Sequence, residues 1–423
     1  TLRDPAPLVE IGAIYLSQRR WPLAADAFNR ALARRADLAS AWAGLAAAEW
    51  GQGSRTLAVA HWETALRHQP DLLAARLGLA RAHLEQGQTD AALEALHTGL
   101  ALAHASSPAT CRLCDEVRLL LAAILALDAP DAARAELTSI PADAPLPVAA
   151  RRDYLIATLE RAADANSPVA AAKTIGLALA QAELWPIAST ALTRVVALEP
   201  ADAVARAFLG YVEGMLRRPA LHHLNAAVYL APDHPLPWHL RGSHYLRTNL
   251  LPLAILDLSR AVQLDPGDAR AWLELGGAYE QLHDYAKAAA AFDAAVAAAP
   301  DDVETRLARV RFYADTAWRV TDQGGGLEAA RAAADLAPQD AVARDLLGWL
   351  YFLAGDLPQA RLHLLSALAL DPDQASTYYH LGEWYARSGW PEMAATAWTR
   401  AVDLDSVGDI RARALARLTA TAK

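Results

Sequence analysis

Along most of this chain small residues and bulky apolar residues recur in a fixed order, with polar residues filling the positions between. The order is clearest in 235–266 and 269–300, which repeat one another at a period of 34. Trp238, Gly242, Tyr245, Ala254, Leu258, Ala261 and Pro266 become Trp272, Gly276, Tyr279, Ala288, Phe292, Ala295 and Pro300. No segment alternates apolar and polar residues at period two between turn residues. The pattern therefore predicts helices throughout, two per repeat.

Counted from the first helical position of each unit, the eighth residue is small: Gly12, Ala46, Ala80, Gly176, Gly210, Gly242, Gly276, Gly348 and Gly382. The twentieth is alanine in Ala24, Ala58, Ala92, Ala188, Ala254, Ala288, Ala360 and Ala394. These are the positions where the two helices of a unit cross. Phe28, Trp62, Phe292 and Trp398 fill the space beside them, and small against large in register lets packed helices interdigitate without voids. Pro70, Pro200, Pro232, Pro266, Pro300, Pro338 and Pro372 close units, because proline lacks an N–H and ends a helix. Pro22, Pro186, Pro252 and Pro358 fall in the first turn of second helices, where proline is tolerated. From Pro200 onward the closing prolines are 32, 34, 34, 38 and 34 apart, which predicts a shortened turn near Pro219 and an insertion around Gly324, Gly325 and Gly326.

A unit of this length with Trp or Leu, Gly, Tyr, Ala, Phe, Ala and Pro in that order resembles the tetratricopeptide repeat. The resemblance implies an all-α, right-handed superhelical solenoid of about ten helical hairpins. Three units are expected over 5–104 and seven over 169–406, followed by a polar-backed capping helix at 407–423. Between them, 105–168 keeps helical periodicity at 113–127 and 147–163 but loses the register, and Pro141, Pro145 and Pro147 interrupt it. An irregular connector is expected there, one degenerate helical pair with an extra helix.

Composition narrows the function classes. Hydrophobic residues make up 54% of the 423, much of them alanine, which lets helices approach closely at little cost in propensity. The longest apolar run, Leu119 to Leu127, is far short of the ~20 residues that span a bilayer. A formal charge of −9 argues against nucleic acid, which needs a basic stripe. Only Lys173, Lys287 and Lys423 are lysines, so arginine carries nearly all positive charge. Thr1 without a preceding Met suggests a leader or anchor already removed, and with the cysteine pair leans the expected setting toward a bacterial cell envelope, the cytoplasm being the alternative.

Residues able to carry chemistry are few. Cys111 and Cys114 form a CxxC, with His97 and His104 upstream. Two free buried thiols are the leading reading, ahead of a disulfide and of a shared metal. Asp115 stands where a haem attachment would need His, no strand accompanies the motif, and the histidine spacing matches no zinc module. His222, His223, His234, His239 and His244 lack carboxylates at the i, i+4 spacing of a metalloenzyme helix and read as polar or packing positions. Gly324–Gly326 precedes no Lys-Ser/Thr, so it is no phosphate loop. No catalytic residue, cofactor or metal is expected.

In the family so resembled, ligands most often lie on the concave side, at the second, fifth, ninth and twelfth positions of first helices. This chain places His239, Ser243, Leu246, Arg270, Leu273, Glu280 and Glu304 there. The partner-binding candidates are Arg81, Tyr211, Arg247, Arg311, Trp349, Phe352, Tyr379 and Glu383. The chaperone-binding branch grips a terminal carboxylate with Lys and Asn at these sites. Here the ninth positions hold no Asn and the fifth offer only Lys173, so that clamp is not expected. Trp349 and Phe352, three apart on one helix face, are expected to form an exposed aromatic hot spot that Tyr379 and Glu383 continue.

The function implied is an interaction scaffold that binds an extended peptide or helix of a protein partner and helps assemble or tether a larger complex. Two alternatives stand beside it. One is a cell-envelope accessory in polymer export or secretion, associated with a membrane complex; the other is an enzyme with a helical-repeat body.

Overall fold

The computed structural model describes residues 4–106, 111–322, 325–405 and 408–421. Gly324 and the side chain of His104 lie outside the described residues. All regular structure among them is α-helical, and the chain divides into two compact units, 1–231 and 232–423. Each is an all-α solenoid built of helical hairpins.

The first unit opens with three hairpins: α1 (Ala6–Ser17) with α2 (Trp21–Arg34), α3 (Ala39–Gly51) with α4 (Arg55–His68), and α5 (Leu73–Glu85) with α6 (Thr89–Ser106). Three helices off the register follow, α7 (Arg112–Leu125), α8 (Pro130–Thr138) and α9 (Leu146–Ala163). Two hairpins close the unit, α10 (Pro168–Gln181) with α11 (Trp185–Leu198) and α12 (Ala203–Met215) with α13 (Leu221–Leu230). The second unit runs α14 (Pro235–Arg247), α15 (Leu251–Leu264), α16 (Ala269–Gln281), α17 (Tyr285–Ala298), α18 (Val303–Thr316) and α19 (Gly326–Leu336). It continues with α20 (Ala341–Ala354), α21 (Leu357–Leu370), α22 (Ala375–Arg387) and α23 (Pro391–Leu404), and α24 (Asp409–Thr421) ends it.

Local chemistry fixes both ends of these helices. Asp202, Asp268, Asp302 and Asp340 cap α12, α16, α18 and α20, each accepting the backbone N–H three residues on at 2.8 to 3.0 Å. First helices stop on a left-handed residue, which is Gly355 after α20 and Gly389 after α22 but Asn249 after α14 and His283 after α16. The next N–H then returns to the carbonyl five residues back, as from Leu250 to Tyr245 at 2.8 Å and from Trp390 to Tyr385 at 2.9 Å. Pro22, Pro186, Pro252 and Pro358 all start second helices, as their places in the register predict.

The small-against-large pattern is the core itself. A Cβ on Gly12 would lie 2.7 Å from the Phe28 ring, and one on Gly382 would lie 2.4 Å from Trp398. The following hairpin presses on the same ring. A Cβ on Gly44 would lie 2.3 Å from Phe28, and one on Gly78 would lie 2.3 Å from Trp62. Each ring is thus held between two first helices, a second contact that the register of single units does not reveal. In the second unit α24 lays Ala414, Ile410 and Leu418 over Trp398 and the end of that stack.

The three off-register helices are packed as fully as the rest. Val117, Leu121, Leu137, Leu155 and Leu159 belong to one continuous core with Leu77, Leu96, Leu179 and Leu192. The first unit also curls back on itself, since Arg218 donates to the carbonyl of Glu85, 133 residues earlier, at 2.8 Å. Cys111 and Cys114 are joined by a disulfide, not free as their leading sequence reading has it. Their Cα atoms are 5.2 Å apart across the first turn of α7, within the reach of one S–S bond. Among the described residues no helix is long and apolar enough to cross a membrane.

Candidate functional site

The curl of the first unit brings α5, α7 and α9 around a cleft of about 230 Å³. Arg81 projects into it from α5, and Glu116, Leu119 and Leu120 from α7. Arg151, Tyr154 and Leu155 come from α9, and Ala182, Glu183 and Leu184 from the turn between α10 and α11. Leu119, Leu120 and Leu155 are buried core residues, and with the partly buried Leu184 they form an apolar floor. Polar groups ring that floor. Arg81 lies 3.4 Å from Glu116, and the Tyr154 hydroxyl bonds to Gln181 Oε1 at 2.7 Å. Arg151 is exposed and has no hydrogen-bond or ion-pair partner among the described residues.

Of the other sequence candidates in this unit, Tyr211 is half-buried with its ring edge-on to Trp185 at 5.8 Å. The rest lie in the second unit. Arg247 is exposed and sits 3.0 Å from His244 Nδ1. Arg311 is exposed and pairs with Glu304 at 3.5 Å.

The expected exposed aromatic patch is instead packed. Phe352 and Tyr379 are only 8% and 7% exposed. Trp349 is half-buried, stacked on Phe352 at 4.9 Å and on His380 at 4.3 Å, and its indole N–H points at the Ala314 carbonyl, 3.3 Å away. Behind it His380 Nδ1 meets Asp345 Oδ1 at 2.9 Å, while Ser376 donates to the other oxygen at 2.8 Å. Glu383 is closed off by Arg417 of α24, which donates twice at 2.7 Å. The physical reason is that each first helix packs against the next one, so residues on one face of α20 become the wall for α22.

His239 carries the strongest electrostatic perturbation in the second unit. It is buried, with Nδ1 2.8 Å from Asp268 Oδ2 and Nε2 3.4 Å from Glu274 Oε2. Burial alone pulls its pKa down. The two carboxylates outweigh that and push it up to about 9, and both are themselves held below their usual range by the imidazolium. Ser243 donates to the same Glu274 oxygen. The acids come from the following hairpin, 29 and 35 residues on, so a search at i, i+4 misses them. They lie instead about one repeat length, near 34 residues, from the imidazole they hold. No cluster suited to a metal ion occurs among the described residues.

Tetratricopeptide repeat models match residues 49–109, 239–303 and 348–389, so both units carry the repeat. No curated protein matches the chain. Among solved structures, the chain is similar to yeast Tom70 at 15% identity over 99% of this chain and 95% of that one, with a TM-score of 0.41. It is also similar to a tetratricopeptide repeat protein from Parabacteroides merdae ATCC 43184, at 17% identity over 63% and 99% with a TM-score of 0.43. A third is MamA from Desulfovibrio magneticus RS-1, at 22% identity over 41% and 97% with a TM-score of 0.35.

Proposed function

Because the chain is a tetratricopeptide repeat protein, and such chains serve as interaction scaffolds, we propose that it holds an extended segment of a protein partner in the cleft between α5, α7 and α9. The observation that carries this is Arg151, a guanidinium without a partner at the lip of a leucine floor. A cleft of about 230 Å³ is below the roughly 300–1,000 Å³ of small-molecule sites. It suits one bulky apolar side chain. Arg151 beside it suits a carboxylate one or two residues away on the same segment, a charge-assisted contact that also fixes direction. Anchoring by side chains, not by a terminus, lets the partner be a peptide or a helix inside a larger assembly. The role is one of binding, with no catalytic step assigned.

A displayed random-peptide library tests the reading. Selection on the full chain is expected to enrich a bulky apolar residue next to Asp or Glu. Arg151→Glu should weaken the selected peptides at least tenfold, about 1.4 kcal/mol, and leave the thermal melt in place because Arg151 is exposed. Peptides that bind equally well to Arg151→Glu would overturn the assignment.

A further inference from the structure

The Cys111–Cys114 disulfide contributes little as a staple of the fold. A cross-link restrains the unfolded chain more as the loop it closes lengthens, and this one encloses only two residues. The helix it touches is secured without it. Val117 and Leu121 of α7 are fully buried, and Arg118 donates to the Ser139 carbonyl at 3.0 Å.

The two sulfurs differ in access. Cys114 is 3% exposed within the apolar core, whereas Cys111 is half-buried at the surface end of α7. Cys111 is also the N-cap, and its Sγ accepts the backbone N–H of Cys114 at 3.2 Å. A thiolate formed there would keep that bond and face the positive end of a 14-residue helix, the environment that stabilises reactive thiolates.

We propose that the Cys111–Cys114 disulfide is a redox-active site that exchanges with a dithiol through attack on Cys111 Sγ. The attacking thiolate forms a bond to Cys111 Sγ, the S–S bond breaks, and Cys114 Sγ leaves with the electron pair and takes up a proton. The second thiol of the reductant, as its thiolate, then attacks its own sulfur in the mixed disulfide and releases Cys111 as a thiolate. The protein gains two electrons and, once Cys111 is protonated, two protons. The dithiol leaves as a disulfide. The reverse sequence would oxidise a dithiol partner.

Two measurements on the full chain test this. First, the native protein is titrated with dithiothreitol, and free thiols are trapped with a maleimide and counted by mass. Both thiols are expected together, at reductant concentrations that leave the far-UV circular dichroism unchanged. Thiols appearing only after helical signal is lost would overturn the proposal, and this arm needs no variant. Second, Cys114→Ser and Cys111→Ser are each exposed to glutathione disulfide. Cys111, alone in Cys114→Ser, should form the mixed disulfide at least ten times faster than Cys114 does in Cys111→Ser. Equal or inverted rates would remove the basis for attack at Cys111.

Discussion

Trp272 donates its indole N–H to the carbonyl of Pro266, 3.0 Å away and six residues earlier. Trp238 does the same to Pro232 at 2.9 Å and Trp42 to Ala36 at 2.8 Å. In other hairpins the donor is arginine. Arg76 reaches Pro70 at 2.9 Å, Arg306 reaches Pro300 at 2.7 Å, and Arg344 reaches Pro338 at 3.3 Å. The carbonyl lies in the turn that joins one hairpin to the next, beyond the last helical residue, so no helix satisfies it. Tryptophan and arginine are alike here in one respect. Each carries an apolar stem that lies along the helix and an N–H at the far end.

This equivalence predicts the outcome of substitutions at Arg306. Arg306→Met keeps the stem and removes the donor, and should lower stability by about 1 kcal/mol, the usual net worth of one hydrogen bond. Arg306→Trp should restore the bond and most of that loss. Urea midpoints check both, and a methionine variant as stable as the parent would remove the bond from the account.

Two adjacent glycines should respond with opposite sign. A Cβ on Gly276 would come within 3.1 Å of the Phe292 ring, so Gly276→Leu forces α16 and α17 apart and should cost roughly 1–3 kcal/mol. A Cβ on Gly277 would have nothing within 4 Å. Gly277→Ala should therefore stabilise α16 by about 0.5–1 kcal/mol through backbone entropy alone. Thermal melts of the pair test the register directly. Equal shifts in one direction would show that it is wrong.

How far the sequence reveals this molecule depends on how local the cause is. Gly12 facing Phe28 and Gly382 facing Trp398 are legible because both partners belong to one hairpin, sixteen residues apart. The burial of Phe352 and Tyr379 is not, because it depends on how closely α22 follows α20, which no single repeat encodes. Arg151 and Tyr154 come from α9, which departs from the repeat pattern, and only the curl of the unit sets them opposite Arg81. The His239 environment is intermediate, since Asp268 and Glu274 lie about one period away along the chain.

His239 makes the stability of the second unit pH-dependent. Its ordinary pKa of 6.5 becomes about 9 in the folded protein, beside Asp268 and Glu274, whose own values fall. Between those two values the folded state holds a proton that the unfolded chain has released. The stabilisation is therefore complete below pH 6.5 and is lost as pH rises through about 9. Denaturant titrations of parent and His239→Asn at pH 6 and at pH 9.5 measure it. The stability difference between the two proteins should shrink at the higher pH. A constant difference would mean that the folded protein holds the His239 proton no more tightly than the unfolded chain does.

Trp349 and Phe352 decide between an anchor for a partner and a part of the core. Their rings stack 4.9 Å apart, His380 covers the other side of Trp349 at 4.3 Å, and the Asp345 carboxylate fixes His380 from behind. Little of Phe352 remains for a partner to touch. Phe352→Ala should therefore cost about 3 kcal/mol or more, the price of emptying a buried aromatic site. Arg311→Ala, which removes only an exposed pair, should change stability by less than about 0.5 kcal/mol. The double variant Trp349→Ala/Phe352→Ala should melt early whether or not a partner is present. A double variant that melts with the parent yet loses peptide binding would return these rings to the surface. The stack would then have to open in solution, because Trp349 cannot leave Phe352 and His380 without giving up its bond to Ala314.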